Sequence, residues 1–278
     1  MASRSDLREK RTAHRRRHAF LGGIGAVAVV ALVIGLFVAF SGGGEDQRPK
    51  LAAEPEPTEA TSAPATTTVP PFTSTIATAS VPEVQVFDAP EAPAPSRSYQ
   101  NPWHVNDDPD EPTVPLVFLT EERRDDGWTR VLLPERPNGA TGWVRDADFM
   151  FAPTQYHISI SLGGHQITVY DGEEVVLQES VAIGKPSTPT PPGKYYIRVL
   201  LQTTDPGSVY GPFAYGLSAH SDVLTEFSGG DGEVGIHGNN DASVLGQSVS
   251  AGCVRMSNDG ITRLTKLLPL GTPVEIVA

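Results

Sequence analysis

Two residue types that can carry nucleophilic chemistry stand close together near the carboxyl end of the chain. Cys253 is the only cysteine among 278 residues, and His237 precedes it by 16 positions in the stretch GIHGNNDASVLGQSVSAGCVRM (235–256). A cysteine attacks as its thiolate, and because a free thiol has a pKa of about 8.5, a neighbouring imidazole or backbone N–H groups must assist it. Glycines flank both residues, which allows tight turns and close approach of a substrate carbonyl. The pattern indicates a candidate cysteine nucleophile with a histidine base.

A buried, unreactive cysteine is the competing interpretation, because free cysteines are among the most buried residues of proteins. The spacing of one cysteine and one histidine does not decide between the two. The glycine at 252 favours chemistry, since the N–H groups of Gly252 and Cys253 would be exposed as oxyanion donors. One cysteine and scattered histidines do not make a tetrahedral zinc site, so no metal is expected.

The residues from 155 to 278 predict a mainly β structure that positions this pair. Strands are predicted at HISISL (157–162), QITVY (166–170), EVVLQESVAIG (174–184), KYYIRVLL (194–201) and PVEIV (273–277). Gly163-Gly164 and Asp171-Gly172 predict hairpin turns. The one helix predicted here is NDGITRLTKLL (258–268), which begins just behind Cys253 with Ser257 or Asn258 as its N-cap.

A smaller set of short strands is predicted between residues 81 and 152. They are VQVF (84–87), PLVFL (115–119) and WTRVLL (128–133), and Asn138-Gly139 predicts a hairpin turn after the last of them. The pattern GWTRV…RPNGATGWV resembles bacterial SH3-like domains, small β-barrels that often accompany wall-active enzymes. Trp128 and Trp143 fit either the core of such a barrel or a ligand platform. The acidic, proline-rich section 101–112 predicts a long loop.

An uncharged apolar run of 22 residues, AFLGGIGAVAVVALVIGLFVAF (19–40), lies near the amino terminus. As a helix it would span about 33 Å, enough for the ~30 Å hydrocarbon core of a bilayer. Seven Arg or Lys residues against two acids in residues 1–20 predict a cytoplasmic tail (1–18) and an exported remainder. A cleaved signal peptide is the alternative, although the apolar part of such peptides is usually about 7–15 residues long.

Residues 41–80, rich in Pro, Thr, Ala and Ser, predict an extended linker between this single-pass membrane anchor and the folded part. The net charge is −12 and the basic tail contains no helix-turn-helix pattern, so nucleic acid is not expected as a partner. Export sharpens the question of the cysteine. A lone thiol in an oxidising compartment cannot form an internal disulfide, so it is either buried or chemically used.

The stretch G-I-H-G-N-N…S-x-G-C-V-R-M (235–256) closely resembles the active-site signature of the L,D-transpeptidase (YkuD-type) catalytic domain. The resemblance continues through VAIGKPSTPTPPGKYYI (181–197), YGPFAYGLSAHS (210–221) and LGTPVEIV (270–277). It implies a YkuD-like β-sandwich with a short helix, preceded by the SH3-like barrel and the transmembrane helix. It also implies an enzyme that forms 3→3 crosslinks between peptidoglycan stem peptides through a cysteinyl thioester. No cofactor is implied, and carbapenem β-lactams are the implied covalent inhibitors.

The same resemblance implies roles for individual residues. Cys253 matches the nucleophile, His237 the general base, and Gly238 the residue whose backbone carbonyl orients the imidazole. The implied oxyanion donors are the N–H groups of Gly252, Cys253 and Ala251, and the implied substrate-binding residues are Arg255, Ser250, Asn239 and Tyr210. Ser250 also fits a structural role in the loop.

One position departs from the family pattern, because many members carry a histidine where this chain has Ala251. The base role belongs to His237, so activity is expected. His220 is a weaker rival, interpreted as a polar loop histidine. Two other functions stay open at this point: an L,D-carboxypeptidase, in which water resolves the acyl-enzyme, and a non-catalytic wall-binding protein.

Overall fold

The computed structural model describes residues 72–105, 109–226 and 230–278. The predicted tail, the predicted membrane span (19–40) and the linker up to residue 71 lie outside these ranges. Among the described residues, no helix has both the length and the apolar character needed to cross a membrane.

The amino-terminal part forms a five-stranded antiparallel sheet, here called the small sheet, with the strand order β8-β7-β6-β1-β9. The strands of this part are β1 Ser74–Ala79, β2 Glu83–Val86, β3 Arg97–Gln100, β4 Trp103–His104, β5 Thr113–Val114, β6 Val117–Arg123, β7 Trp128–Leu132, β8 Thr141–Arg145 and β9 Phe149–Thr154. Two short pairs, β2 with β3 and β4 with β5, stand beside it. The predicted turn at Asn138-Gly139 does connect β7 to β8, which pair from Trp128 opposite Arg145 to Leu132 opposite Thr141.

Two predictions for this part were wrong. The linker was expected to extend to residue 80, but β1 is an inner strand of the small sheet and buries Ile76, Ala77 and Ala79. Five of the six residues of β1 are Ser, Thr or Ala, so its sequence lacks the run of large apolar residues that marks other strands. The section 101–112 was expected to be a loop, but it contains β4, in which Trp103 pairs with Val114.

The carboxyl-terminal part forms an eight-stranded mixed sheet, the large sheet, with the order β12-β11-β10-β19-β14-β15-β16-β18. Its elements are β10 Tyr156–Ser161, β11 Gln166–Asp171, β12 Glu174–Ser180, β13 Ile183–Gly184, β14 Gly193–Gln202, β15 Phe213–His220, β16 Glu233–His237, β17 Ser248–Ser250, β18 Val254–Arg255, α1 Asn258–Leu264 and β19 Pro273–Val277. Two neighbouring pairs are parallel, β10 with β19 and β16 with β18. Strands β13 and β17 form a separate parallel pair.

Helix α1 is shorter than predicted. It begins as expected, with the Ser257 side chain accepting a hydrogen bond from the Gly260 N–H, but it ends at Leu264 and not at residue 268. Beyond it the turn tightens, with the Lys266 N–H bonded to the Arg263 carbonyl at 3.2 Å. Pro269 follows and has no N–H with which to continue the helix.

Strand β14 connects the hydrophobic cores of the two sheets. Tyr195 and Tyr196, neighbours on this strand, are both fully buried. Tyr195 belongs to the core of the large sheet, and Tyr196 to the core of the small sheet. Successive residues of a strand face opposite sides, so one strand serves both cores. The described residues are mainly β with one short α-helix, which confirms the predicted fold class at this level.

Candidate active site

Cys253 lies at the edge of the large sheet, directly before β18. The parallel pairing of β16 with β18 sets His237 opposite Arg255, so Cys253, two residues earlier, lies beside Gly235. The Gly235 N–H donates a hydrogen bond to Sγ at 3.4 Å. Gly235 and His237 are two residues apart on β16, a Cα separation of about 7 Å, so the thiol bonded to the Gly235 N–H lies near the strand position of His237.

The thiol of Cys253 is protonated at rest. Burial raises the pKa of Cys253, and the Gly235 N–H and the positive charge of Arg255 offset this only in part. The residue keeps some exposed surface, which a nucleophile that must meet a substrate requires. A thiolate therefore forms only when a base removes the proton.

His237 is held in one tautomer with its second nitrogen available as a base. The residue is 3 % exposed, and its Nδ1 lies 2.7 Å from the backbone oxygen of Gly238. A carbonyl oxygen only accepts, so Nδ1 carries the proton and Nε2 keeps its lone pair. Burial lowers the pKa of His237 to about 4, against the opposing effect of the Gly238 carbonyl, so the imidazole is neutral at neutral pH.

Close packing around the turn explains the glycine at 238. A Cβ at this position would lie 2.4 Å from Oδ1 of Asn258 and 3.1 Å from Cα of Gly211. The same Asn258 oxygen accepts the N–H of Asn239 at 2.8 Å. Asn258, the first residue of α1, is thereby hydrogen-bonded to the turn that carries the Gly238 carbonyl.

The loop before Cys253 is organised by Ser250, which is 1 % exposed. Its hydroxyl donates to the Cys253 carbonyl at 2.6 Å and accepts the Gly252 N–H at 3.0 Å. Gly252 has a φ of +126°, a conformation that side chains disfavour. Of the two roles considered for Ser250, these contacts fit the structural one. They also occupy the Gly252 N–H, which was predicted to be an oxyanion donor. Of the three predicted donors, the N–H groups of Ala251 and Cys253 remain.

The other predicted substrate-binding residues surround the pair. The Tyr210 ring centroid lies 4.9 Å from that of His237. Asn239 is 6 % exposed and its Oδ1 has no hydrogen-bond partner among the described residues. Arg255 is half-buried, and its backbone bonds Ala182 in both directions at 2.8 Å. The structure thus brings all the sequence-predicted site residues to one region, around the strand pair β16 and β18.

The interpretation of His220 as a loop histidine was wrong. His220 ends β15, is 1 % exposed, and places Nε2 3.0 Å from a carboxylate oxygen of Asp231. Burial lowers the pKa of His220, while the Asp231 carboxylate opposes this. With Glu233 these residues form a group of potential metal ligands among the described residues, but Glu233 is already paired with Arg198.

Comparison with known proteins places this site in a family. A model described as the L,D-transpeptidase catalytic domain, YkuD, matches residues 155–276. The putative L,D-transpeptidase YkuD of Bacillus subtilis (strain 168) is 33 % identical over 121 residues, covering 44 % of this chain and 65 % of that protein. The putative L,D-transpeptidase YqjB of the same strain is 30 % identical over 135 residues, covering 45 % of this chain and 72 % of that protein. The chain belongs to the L,D-transpeptidase family.

The match has a limited extent. The chain covers less than two thirds of the length of the YkuD protein of Bacillus subtilis, at 65 %. The solved structure of L,D-transpeptidase 3 from Mycobacterium tuberculosis, in complex with a faropenem-derived adduct, aligns over 59 % of this chain and 91 % of that chain. Its sequence identity is 15 % and the TM-score is 0.38, a likeness too low to add to the family assignment.

Two residues of this L,D-transpeptidase site were missed by sequence reasoning. Gly235 supplies the N–H bonded to the thiol. Thr190 is 2 % exposed and donates to the Gly252 carbonyl at 2.7 Å while accepting the Gly184 N–H at 2.8 Å. Both residues lie inside stretches that resemble the family, GIHG and STPTPPG, so the resemblance could have drawn attention to them. Their partners are set by pairing between distant strands, which spacing does not show.

Proposed function

We propose that this protein is a peptidoglycan L,D-transpeptidase that forms 3→3 crosslinks through a thioester on Cys253. The observation that carries the proposal is the state of His237. Its Nδ1 is engaged by the Gly238 carbonyl, so Nε2 keeps its lone pair, and His237 is two residues along β16 from Gly235, whose N–H bonds the thiol. A neutral, oriented imidazole beside a neutral thiol is the arrangement that general-base activation of a nucleophile requires.

The first half-reaction transfers the donor stem to the enzyme. Nε2 of His237 takes the thiol proton as Sγ attacks the carbonyl carbon of the third stem residue. The tetrahedral oxyanion is stabilised by the N–H groups of Cys253 and Ala251. When the carbon–nitrogen bond to the terminal D-Ala breaks, the imidazolium returns the proton to the departing amine, and the thioester remains.

The second half-reaction forms the crosslink. The side-chain amine of a second stem's third residue attacks the thioester carbonyl and passes a proton to His237. The carbon–sulfur bond then breaks, the imidazolium of His237 gives that proton to the departing thiolate, and the crosslinked product is released. A thioester suits this chemistry because it persists long enough to await an amine. The same thiol would be acylated by carbapenem β-lactams.

The proposed setting is the cell wall. The run 19–40 would anchor the chain in the membrane with residues 1–18 in the cytoplasm, and residues 155–278 would act outside the membrane. Residues 81–152 would form the SH3-like module, to which β1 adds a strand. The departure at Ala251 affects the loop beside the nucleophile and leaves the proposed base in place.

Incubation of the purified protein with a disaccharide-tetrapeptide tests the proposal. We expect a dimer whose mass equals two substrates less one D-Ala, and tandem mass spectrometry should locate the bond between the two third residues. Conversion to the tripeptide alone would replace the proposal with the carboxypeptidase function. No reaction, together with no carbapenem adduct, would favour the wall-binding function and overturn the proposal.

A further inference from the structure

The turn between β7 and β8 reaches from the small sheet to the large sheet. Arg136, in this turn, donates three hydrogen bonds to backbone carbonyls more than 80 residues away in sequence. Its guanidinium bonds Ser221 at 3.1 Å, Leu224 at 3.0 Å and Asp231 at 2.7 Å. These carbonyls belong to the segments that follow β15 and precede β16, so one side chain fastens both.

Asn138 adds a second attachment in the same turn. Its Oδ1 accepts the His220 N–H at 2.9 Å, and its Nδ2 donates to the His220 carbonyl at 2.7 Å. An amide side chain that bonds both backbone groups of one residue acts as a strand neighbour would. The end of β15 is therefore held from the side of the small sheet.

The two fastened segments are also tied to each other. The Ser221 N–H bonds the Gly232 carbonyl at 2.9 Å, and His220 bonds the Asp231 carboxylate. Gly232 has a φ of +83°, and a Cβ there would lie 2.0 Å from the Leu224 carbonyl oxygen. The backbone at this point has no room for a side chain and is fixed from several directions.

The fastened residues form one wall of the cavity at the nucleophile. The cavity is lined by Ala251, Gly252 and Cys253 together with residues after β15 and at the start of β16, which are Ser221, Leu224, Gly232, Glu233 and Val234. The wall leads directly to the thiol, because Gly235, the next residue of β16, donates its N–H to Sγ. A shift of the Asp231 carbonyl would therefore move the wall and the donor together.

We propose that Arg136 and Asn138 are positioning residues, through which the small sheet holds the substrate-facing wall of the Cys253 cavity in place. This rests on the proposed function for its catalytic readout, and its structural half can be measured without it. Arg136 suits the task because its planar fork serves several acceptors at once, whereas a lysine ammonium on a flexible stem is not pre-organised to bond three carbonyls.

The test compares Arg136→Ala, Arg136→Lys and Asn138→Ala with Arg124→Ala in the full chain. Arg124 is a matched control, since it is an exposed arginine in the turn between β6 and β7 of the small sheet and is paired with Asp126. We expect Arg136→Ala to slow carbapenem acylation by roughly 10- to 100-fold, the scale of loss for a misplacement of about 1 Å. Arg136→Lys should recover only part of the rate, and Arg124→Ala should match the wild type.

Two further readouts separate positioning from simple destabilisation. Alkylation by iodoacetamide needs the thiol but not the cavity wall, so in Arg136→Ala its rate should change by much less than the rate of acylation. Loss of three hydrogen bonds should also lower the melting temperature, so both rates are measured well below the melting temperature of the variant. Hydrogen exchange at the amides of His220 and Ser221 should be faster in Arg136→Ala and Asn138→Ala than in the control, whether or not the protein is an enzyme.

Three outcomes would overturn the proposal. They are unchanged acylation in both Arg136→Ala and Asn138→Ala, an equal change in the rates of acylation and alkylation, or unchanged hydrogen exchange at His220 and Ser221. Failure of the wild type to react with a carbapenem would instead overturn the proposed function, and the exchange experiment would still decide whether the small sheet holds the wall.

Discussion

Acidification should lower the free energy of unfolding through the protonation of His237. Burial lowers the pKa of His237 to about 4, whereas the same group in the unfolded chain titrates near 6.5. Between these two pH values the unfolded state binds a proton that the folded state refuses. The free energy of unfolding therefore decreases as the pH falls through 6.5, and this contribution levels off below the folded pKa of about 4.

The size of the effect follows from the same two values. Integration between pH 7 and pH 5 gives a loss of about 2 kcal/mol from His237 alone, and the full loss is about 3 kcal/mol. Burial also lowers the pKa of His220, which adds a change of the same sign. A His237→Gln variant does not titrate at this position, so the difference between the two proteins isolates the His237 contribution.

The assay is urea unfolding of the wild type and His237→Gln at pH 7 and pH 5, with an NMR titration of labelled histidine to observe the imidazole directly. The wild type should lose about 2 kcal/mol more than the variant over this interval. Carbapenem acylation should show an acid limb near pH 4. An imidazole that titrates near 6.5, with equal losses in the two proteins, would refute the reasoning that the base is buried and neutral.

Two substitutions test the loops that carry the pair. Ser250→Ala removes the hydroxyl that bonds the Gly252 N–H and the Cys253 carbonyl, and should lower the free energy of unfolding by about 1–3 kcal/mol in urea denaturation. Ser161→Ala, which removes one turn contact made by the half-buried Ser161, is its control, and an equal loss in both would contradict the assigned role. Gly238→Ala places a Cβ 2.4 Å from Asn258 Oδ1 and should cost about 1–3 kcal/mol and slow acylation, whereas Gly163→Ala, whose Cβ would meet no atom nearer than 3.9 Å, should do neither. Equal melting temperatures for the two glycine variants would show that the turn at 238 is not closely packed.

Much of the fold could be predicted because each strand carries its own periodic signal. QITVY and PVEIV alternate or run apolar, and they appear as β11 and β19. The strand β1 was not predicted because its Thr and Ala residues give it the composition of the linker before it. The end of α1 was predicted four residues too late, because the helical spacing of apolar residues continues to Leu268 while the backbone tightens into a turn after Leu264.

The residues of the candidate site were likewise predictable from the sequence only in part. The residue types and glycine spacing of GIHG and SAGC indicated Cys253 and His237 as candidates, and the family resemblance then implied their roles. The contact of Gly235 with the thiol could not be predicted, since it depends on the parallel register of β16 and β18. The bonds from Arg136 to the wall of the cavity join residues 85 to 95 positions apart, a distance over which no local pattern carries information.

The central claim is that Cys253 is the nucleophile of an acyl-transfer reaction. Intact-mass measurement after incubation with a carbapenem tests it most directly, with the wild type and Cys253→Ala treated side by side. The wild type should gain the mass of one carbapenem, located by peptide mapping on Cys253, and Cys253→Ala should gain none. An unmodified wild type, or an equal adduct on Cys253→Ala, would contradict it.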